Sequence, residues 1–126
     1  MRDRAKCSLL IVEDDPDAAD ILADRFRFEG FEVTCTDSGS EAWVLFLRGL
    51  RPDAVILDIM LPGMDGVALR NRMMNDPELS RIPIFVVTAV GGLVRSSLPG
   101  VAGFFRKPVP LEPLVESVSA HVSKAV

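Results

Sequence analysis

"VILDIMLPGMDG", Val55 to Gly66, is a run of strand-forming apolar residues that ends on a carboxylate, Asp58, and then breaks into a Pro/Gly-rich loop. A buried strand has no use for a lone negative charge, because an ionised carboxylate taken out of water needs a partner. The meaning of Asp58 therefore depends on what else in the chain can stand beside it.

Working outward, short apolar runs of the same kind occur at "SLLIVE" (8–13), "EVTCT" (32–36), "AVIL" (54–57), "IFVV" (84–87) and "GFFR" (103–106). Runs that are apolar at successive positions suit strands of a parallel sheet covered on both faces. Helical patterns lie between them. The first follows Pro16, with Ala19, Leu22 and Phe26 on one stripe, and ends at Gly30, the usual placement of Pro and Gly at helix termini. A second runs from Ser40 to Leu50, pairing Ala42 with Phe46 and Trp43 with Leu47 and Leu50. A third begins at Gly66 and buries Leu69 and Met73; the last, Leu111 to Lys124, carries Leu111, Leu114, Val115, Val118 and Val122 on one face. Trp43 and the Met residues read as core filler.

The fourth inter-strand segment is different. "VGGLVRSSLPG" (90–100) holds three Gly, a Pro and two Ser, and supports only a short or irregular helix. Strands alternating with helices predict an α/β fold, a doubly wound five-stranded parallel sheet with helices on both faces. With no repeats, low-complexity tracts or linkers, residues 1–126 are expected to form a single domain.

Composition narrows the function class. Apolar residues make up 48% of the chain and charged residues 25%, which is globular rather than disordered. A net charge of −4 argues against direct nucleic-acid or anionic-membrane binding, though an attached domain could reach DNA. Cys7 and Cys35 have no metal-binding spacing and are expected to be buried free thiols in a reducing compartment. The apolar run near the N-terminus is too short for a signal peptide, and nothing approaches a membrane span. A soluble, cytoplasmic domain is expected.

The chemistry converges at the strand ends. Ligands of open parallel sheets bind at the carboxyl edge, near the point where strand order reverses. The first run delivers Glu13, Asp14 and Asp15, with Asp15 placed to cap the first helix. The third delivers Asp58, the fourth Thr88 and Ala89, and the fifth Lys107 and Pro108. Each residue alone has a plain explanation as a polar loop tip; their joint placement on one edge does not. Two carboxylates ~4 Å apart repel by about 4 kcal/mol at an effective dielectric near 20. Three together form a hard-oxygen site suited to Mg²⁺. Adding a lysine, a hydroxyl and a carboxylate nucleophile suits in-line phosphoryl transfer, which depends on positioning and charge neutralisation.

At these residues the chain closely resembles the receiver domains of two-component response regulators, which have a flavodoxin-like fold. The resemblance rests on "LLIVEDDP", "LDIMLPGMDG", "IPIFVVTA" and "FFRKP", in that order, across nearly the whole chain. It implies a phosphorelay switch rather than an enzyme, with Asp58 as phosphoacceptor from a histidine kinase or histidine phosphotransfer protein. It further implies Mg²⁺ held by Asp14 directly, Glu13 through water, Asp58 and the Met60 backbone carbonyl. Thr88, the Ala89 N–H and Lys107 would contact phosphoryl oxygens, and the Lys107–Pro108 bond can be cis. Phe104 matches the aromatic switch position on an output face that would meet a downstream protein or attached domain. The Thr88-to-Lys107 interval, which in typical members forms part of the partner and dimer surface, is shorter than usual in the family, and Phe104 lacks the hydroxyl of the commoner Tyr. Met60 and Val90, two residues beyond Asp58 and Thr88, flank the path of an attacking water and imply slow dephosphorylation. His121 reads as an ordinary, partly exposed residue.

Competing readings remain. A haloacid-dehalogenase-type phosphatase needs a second Asp two residues after the nucleophile, where this chain has Met60. A flavin carrier of the same fold needs a phosphate loop after the first strand, where "EDDPDAAD" would repel phosphate. A phosphorylation-independent receiver-like scaffold is the third.

Overall fold

A computed structural model describes residues 7–60, 65–89 and 98–124. Five strands, β1 (Ser8–Val12), β2 (Glu32–Thr36), β3 (Ala54–Asp58), β4 (Ile84–Thr88) and β5 (Gly103–Arg106), form one parallel sheet in the order β2-β1-β3-β4-β5. The described helices are α1 (Pro16–Phe28), α2 (Gly39–Leu47), α3 (Gly66–Met74) and α4 (Leu111–Lys124), with a short 3₁₀ turn at Leu79–Arg81. Residues 90–97, which carry most of the Gly/Pro-broken segment and include Val90, and residues 61–64 lie outside the described residues.

Alternation along β1 sorts the core into two layers. Leu9 and Ile11 face α1 and α4, meeting Leu22, Phe26, Leu114 and Val118. Leu10 and Val12 face the opposite way, with Ala42 and Phe46 of α2 and Leu69 and Met73 of α3. β3 and β4 are buried at every position, as strands covered on both faces require. Both ladders reach one residue further than the apolar runs, so Asp58 and Thr88 are the last rungs of their strands and not loop residues.

The helix ends follow local chemistry. Asp15 caps α1 by accepting from the Asp17 N–H at 3.1 Å, and Ser38 caps α2 by accepting from Glu41 N–H at 3.1 Å. Past α2, Gly49 adopts φ +104°, a left-handed conformation that stops the helix at Leu47 instead of Leu50. Leu47, the last residue of α2, is 70% exposed, while Trp43 and Leu50 both pack against the core on this face. Trp43 is half-buried, with the Arg72 guanidinium 5.4 Å from its ring.

The expectation of two covered faces fails at β2. This strand is a sheet edge paired only to β1, and Glu32, Thr34 and Cys35 are exposed. Cys35 is therefore not buried, and Cys7 is only partly so; both are free thiols. On the other edge, β5 is half-buried over Gly103–Phe105. His121 is exposed, with Nδ1 2.9 Å from the Ser117 carbonyl oxygen and its ring set edge-on to buried Phe85.

Candidate functional site

The strand order reverses between β1 and β3, and the acidic residues gather at that point. The Glu13 N–H continues the β1 ladder by donating to the Thr36 carbonyl at 3.0 Å, which draws Glu13 into the interior at 2% exposure. Asp58, at the end of β3, is 4% exposed, while Asp14 faces solvent. One carboxylate oxygen from each of Glu13, Asp14 and Asp58 lies within 4.8 Å of the others.

Lys107 enters from the far end of β5. Its ammonium stands 2.9 Å from Asp58 Oδ2 and 2.8 Å from Glu13 Oε1. The Lys107 N–H donates to the Thr88 carbonyl at 2.9 Å, fixing the lysine beside the end of β4, and the Lys107–Pro108 bond is cis. Thr88 is fully buried at the last rung of β4, and Ala89 after it is exposed. Phe104 pairs in register with Val86 and is half-buried against the core on the α2–α3 face of the sheet.

The electrostatics follow from this crowding. Burial pushes the Glu13 carboxyl above its ordinary value, against the lowering contacts of Lys107 and the Asp15 N–H, and the nearby Asp58 charge adds to the rise. Burial pulls the Lys107 ammonium down, but the Glu13 and Asp58 carboxylates outweigh it, so its pKa lies above normal. Asp58 Oδ1 accepts the Met60 N–H at 3.0 Å, and Glu13 Oε2 accepts the Asp15 N–H at 3.1 Å. Glu13 Oε1 is different: it is buried and close to Lys107 Nζ, yet outside hydrogen-bonding geometry. A buried anionic oxygen without an aligned donor, in a set of three hard-oxygen donors, fits a small divalent cation.

Gly66 has a structural role beyond opening α3. A Cβ there would stand 2.5 Å from the Asp58 carbonyl oxygen and 2.6 Å from Ile59 Cα, and the Gly66 N–H donates to the Ile59 carbonyl at 2.9 Å. Only a residue without a side chain lets α3 start this close behind Asp58. Beside Lys107 lies an apolar recess of about 260 Å³, lined by Ala18, Ile21 and Leu22 of α1 and by Pro108, Val109 and Leu111. Ile21, on its rim, is 57% exposed.

Residues 9–119 match the family model of the response regulator receiver domain. The DNA-binding response regulator MtrA of Mycolicibacterium smegmatis is 35% identical over 125 residues, which are 97% of this chain and 53% of that protein. This chain spans about half the length of the curated relatives it matches. Among solved structures, the signal receiver domain of a signal transduction histidine kinase from Syntrophus aciditrophicus superposes with a TM-score of 0.85 at 34% identity, covering 94% of this chain and 92% of that one. The receiver domain of the sensor histidine kinase PA1611 from Pseudomonas aeruginosa gives 0.82 at 25% identity, covering 93% and 98%, and carries a magnesium ion in its active site cleft.

Proposed function

The chain belongs to the response regulator receiver domain family, and we propose that it works as a phosphorelay switch in which Asp58 takes a phosphoryl group from a histidine of a partner protein. The observation that carries this reading is the Lys107 ammonium 2.9 Å from Asp58 Oδ2, at a strand edge that also holds Glu13, Asp14 and Thr88. An Asp58 carboxylate oxygen attacks the phosphorus of a phosphohistidine, the P–N bond breaks, and its electron pair leaves with the imidazole. Lys107 pairs with one of the phosphoryl oxygens as the group settles on Asp58. The Thr88 hydroxyl and the Ala89 N–H take others.

Glu13, Asp14, Asp58 and the Met60 carbonyl would hold Mg²⁺, which supplies neutralisation of the charge gathered on the phosphoryl oxygens. A phosphoryl group on Asp58 adds charge and acceptor oxygens. It shifts the domain between two states only by the difference in its contacts with them. Movement of Thr88 toward the group gives Phe104 space to turn inward, which changes the surface on that side of the sheet. The apolar recess beside Lys107, with exposed Ile21 on its rim, supports a histidine kinase or phosphotransfer helix docking next to the site. Output passes to a downstream protein or an attached domain. The name of MtrA makes DNA binding the natural output of a longer chain, while the acidic receiver itself does not grip DNA. No described helix is long and apolar enough to cross a membrane.

Acetyl phosphate with Mg²⁺ tests this. Mass spectrometry should find one added phosphoryl group, absent in Asp58→Asn. Turnover of acetyl phosphate without an accumulating adduct would favour a phosphatase instead, and no reaction at all a phosphorylation-independent scaffold.

A further inference from the structure

Among the described residues outside the Asp58 site, Arg70 on α3 is the most deeply buried charged side chain, at 8% exposure. Its Nη2 donates to the Pro99 carbonyl and its Nη1 to Asn71 Oδ1 at 3.2 Å. Nε is buried and has no hydrogen-bond partner among the described residues. No carboxylate there pairs with the guanidinium, and Leu79 to Leu111, which includes the whole β4–β5 connection, holds no Asp or Glu. An ionised group taken out of water needs a partner, and the partner across the fold is one carbonyl oxygen. A buried charge held by so little adds little net stability; what it fixes is position.

The position fixed is that of the bend leading into β5. Pro99 and Gly100 form a turn with Gly100 at φ +87°, and a Cβ on Gly100 would lie 3.9 Å from Arg70 Nη2. On either side of that turn, Leu98 and Val101 pack in one cluster with Leu69 and Met73 of α3 and with Phe104. The Ala102 N–H then donates to the Ile84 carbonyl at 2.8 Å, where the β5 pairing begins. α3 is itself anchored, because Gly66 at its head packs against the Asp58 backbone with no room for a Cβ. Arg70 stands about one helical turn beyond that anchor.

Phe104 is half-buried, and a close-packed cluster admits its ring further only if Leu98 and Val101 give way. The Pro99 carbonyl travels with them, whereas α3 cannot follow. We infer that Arg70 is a positioning residue of the switch: its grip on Pro99 holds the 98–101 bend against α3 and opposes the inward turn of Phe104. The inference rests on the phosphorelay reading above and adds a restraint on the α3 side to the movement of Thr88. Coupling between two sites is reciprocal, so loss of the grip must raise the affinity of the Asp58 site for a phosphoryl group.

The test uses the full chain, isotopically labelled, with Mg²⁺ and beryllium fluoride, which mimics a phosphoryl group on an aspartate. Arg70→Met removes the charge, and exposed Pro99 can pass its carbonyl to water, so the variant should fold. Arg70→Lys keeps the charge and a donor, and carries the same comparison if Arg70→Met does not fold. The beryllium concentration that half-saturates the site, at fixed excess fluoride, should fall about fivefold in Arg70→Met, the lower end of coupling between sites. Arg70→Lys should lie between it and the wild type. Before any beryllium fluoride is added, the Val101 and Phe104 amides of the variants should already be displaced toward their positions in the saturated wild type. Such a population shift is not produced by a merely structural loss. Unchanged or weaker affinity in the folded variants overturns the inference alone. A wild type that binds no beryllium fluoride in Mg²⁺ overturns the phosphorelay reading and the inference with it.

Discussion

Gly66 and Asp58 are packed backbone to backbone: a Cβ on Gly66 would lie 2.5 Å from the Asp58 carbonyl oxygen. The end of β3 therefore carries its carboxylate into the site against a helix start that has no side chain to yield. Because the obstructing atoms are main chain, a larger residue can be accommodated only by moving α3 or the Asp58 backbone.

Gly66→Ala is accordingly expected to destabilise the domain by about 1–3 kcal/mol, the usual range for overpacking. Urea unfolding measures the loss. Phosphorylation of the folded fraction should also slow, since Asp58 shifts against Lys107. A substitution with neither effect would show that α3 moves freely behind the site.

Lys107 balances two buried carboxylates, so its removal should be felt before any chemistry. In Lys107→Met, the Glu13 and Asp58 charges face each other without the ammonium that lies 2.8 and 2.9 Å from them. The side chain is 25% exposed, which tempers the penalty to about 1–3 kcal/mol. Thermal unfolding without divalent ions should register this loss. Added Mg²⁺ should then raise the midpoint by more than it does in the wild type, because the cation meets carboxylates with no competing positive charge. Equal gains in the two proteins would mean that Lys107 and the cation do not share these oxygens.

Much of this site was legible in the sequence, for a physical reason. Glu13, Asp58, Thr88 and Lys107 each close a run of core residues, and in a parallel sheet all strand ends after such runs share one edge. What was not legible depends on strand order or on approach in space. Nothing in "EVTCT" distinguishes an edge strand from a central one, so the exposure of Cys35 emerges only once β2 is seen to pair with β1 alone. Thr36 looked like a strand-forming residue and proved to be a buried hydroxyl without a partner. The contact behind Asp58 joins residues eight positions apart in the chain, and the only trace of it was a glycine at the head of a helix.

Asp14 should be the acidic residue most readily replaced by its amide. It is exposed, and Lys107 pairs with Glu13 and Asp58 instead. Asp14→Asn removes repulsion without breaking an ion pair, so the metal-free midpoint should rise by about 2–4 °C, equivalent to up to ~1 kcal/mol. The same variant should lose most of the stabilisation by Mg²⁺. Asp58→Asn, which forfeits the contact with Lys107, should gain less. A lower metal-free midpoint in Asp14→Asn would contradict the crowding of charge at this edge.

Met60 bears on how long the switch stays on. Its N–H donates to Asp58 Oδ1 at 3.0 Å, which sets the residue directly beside the acceptor, and Met60 is 61% exposed. A water hydrolysing phospho-Asp58 has to approach past this apolar thioether, which neither orients it nor accepts its proton. A long-lived aspartyl phosphate is the expected result, with a lifetime well beyond seconds. Met60→Asn or Met60→Glu offers the water a hydrogen-bond partner and should shorten that lifetime several-fold, with little change in the rate of phosphorylation by acetyl phosphate. Following the decay of the phosphorylated mass after acetyl phosphate is removed gives the comparison directly. Decay within seconds in the wild type, or equal decay in the variants, would show that Met60 does not guard the phosphoryl group.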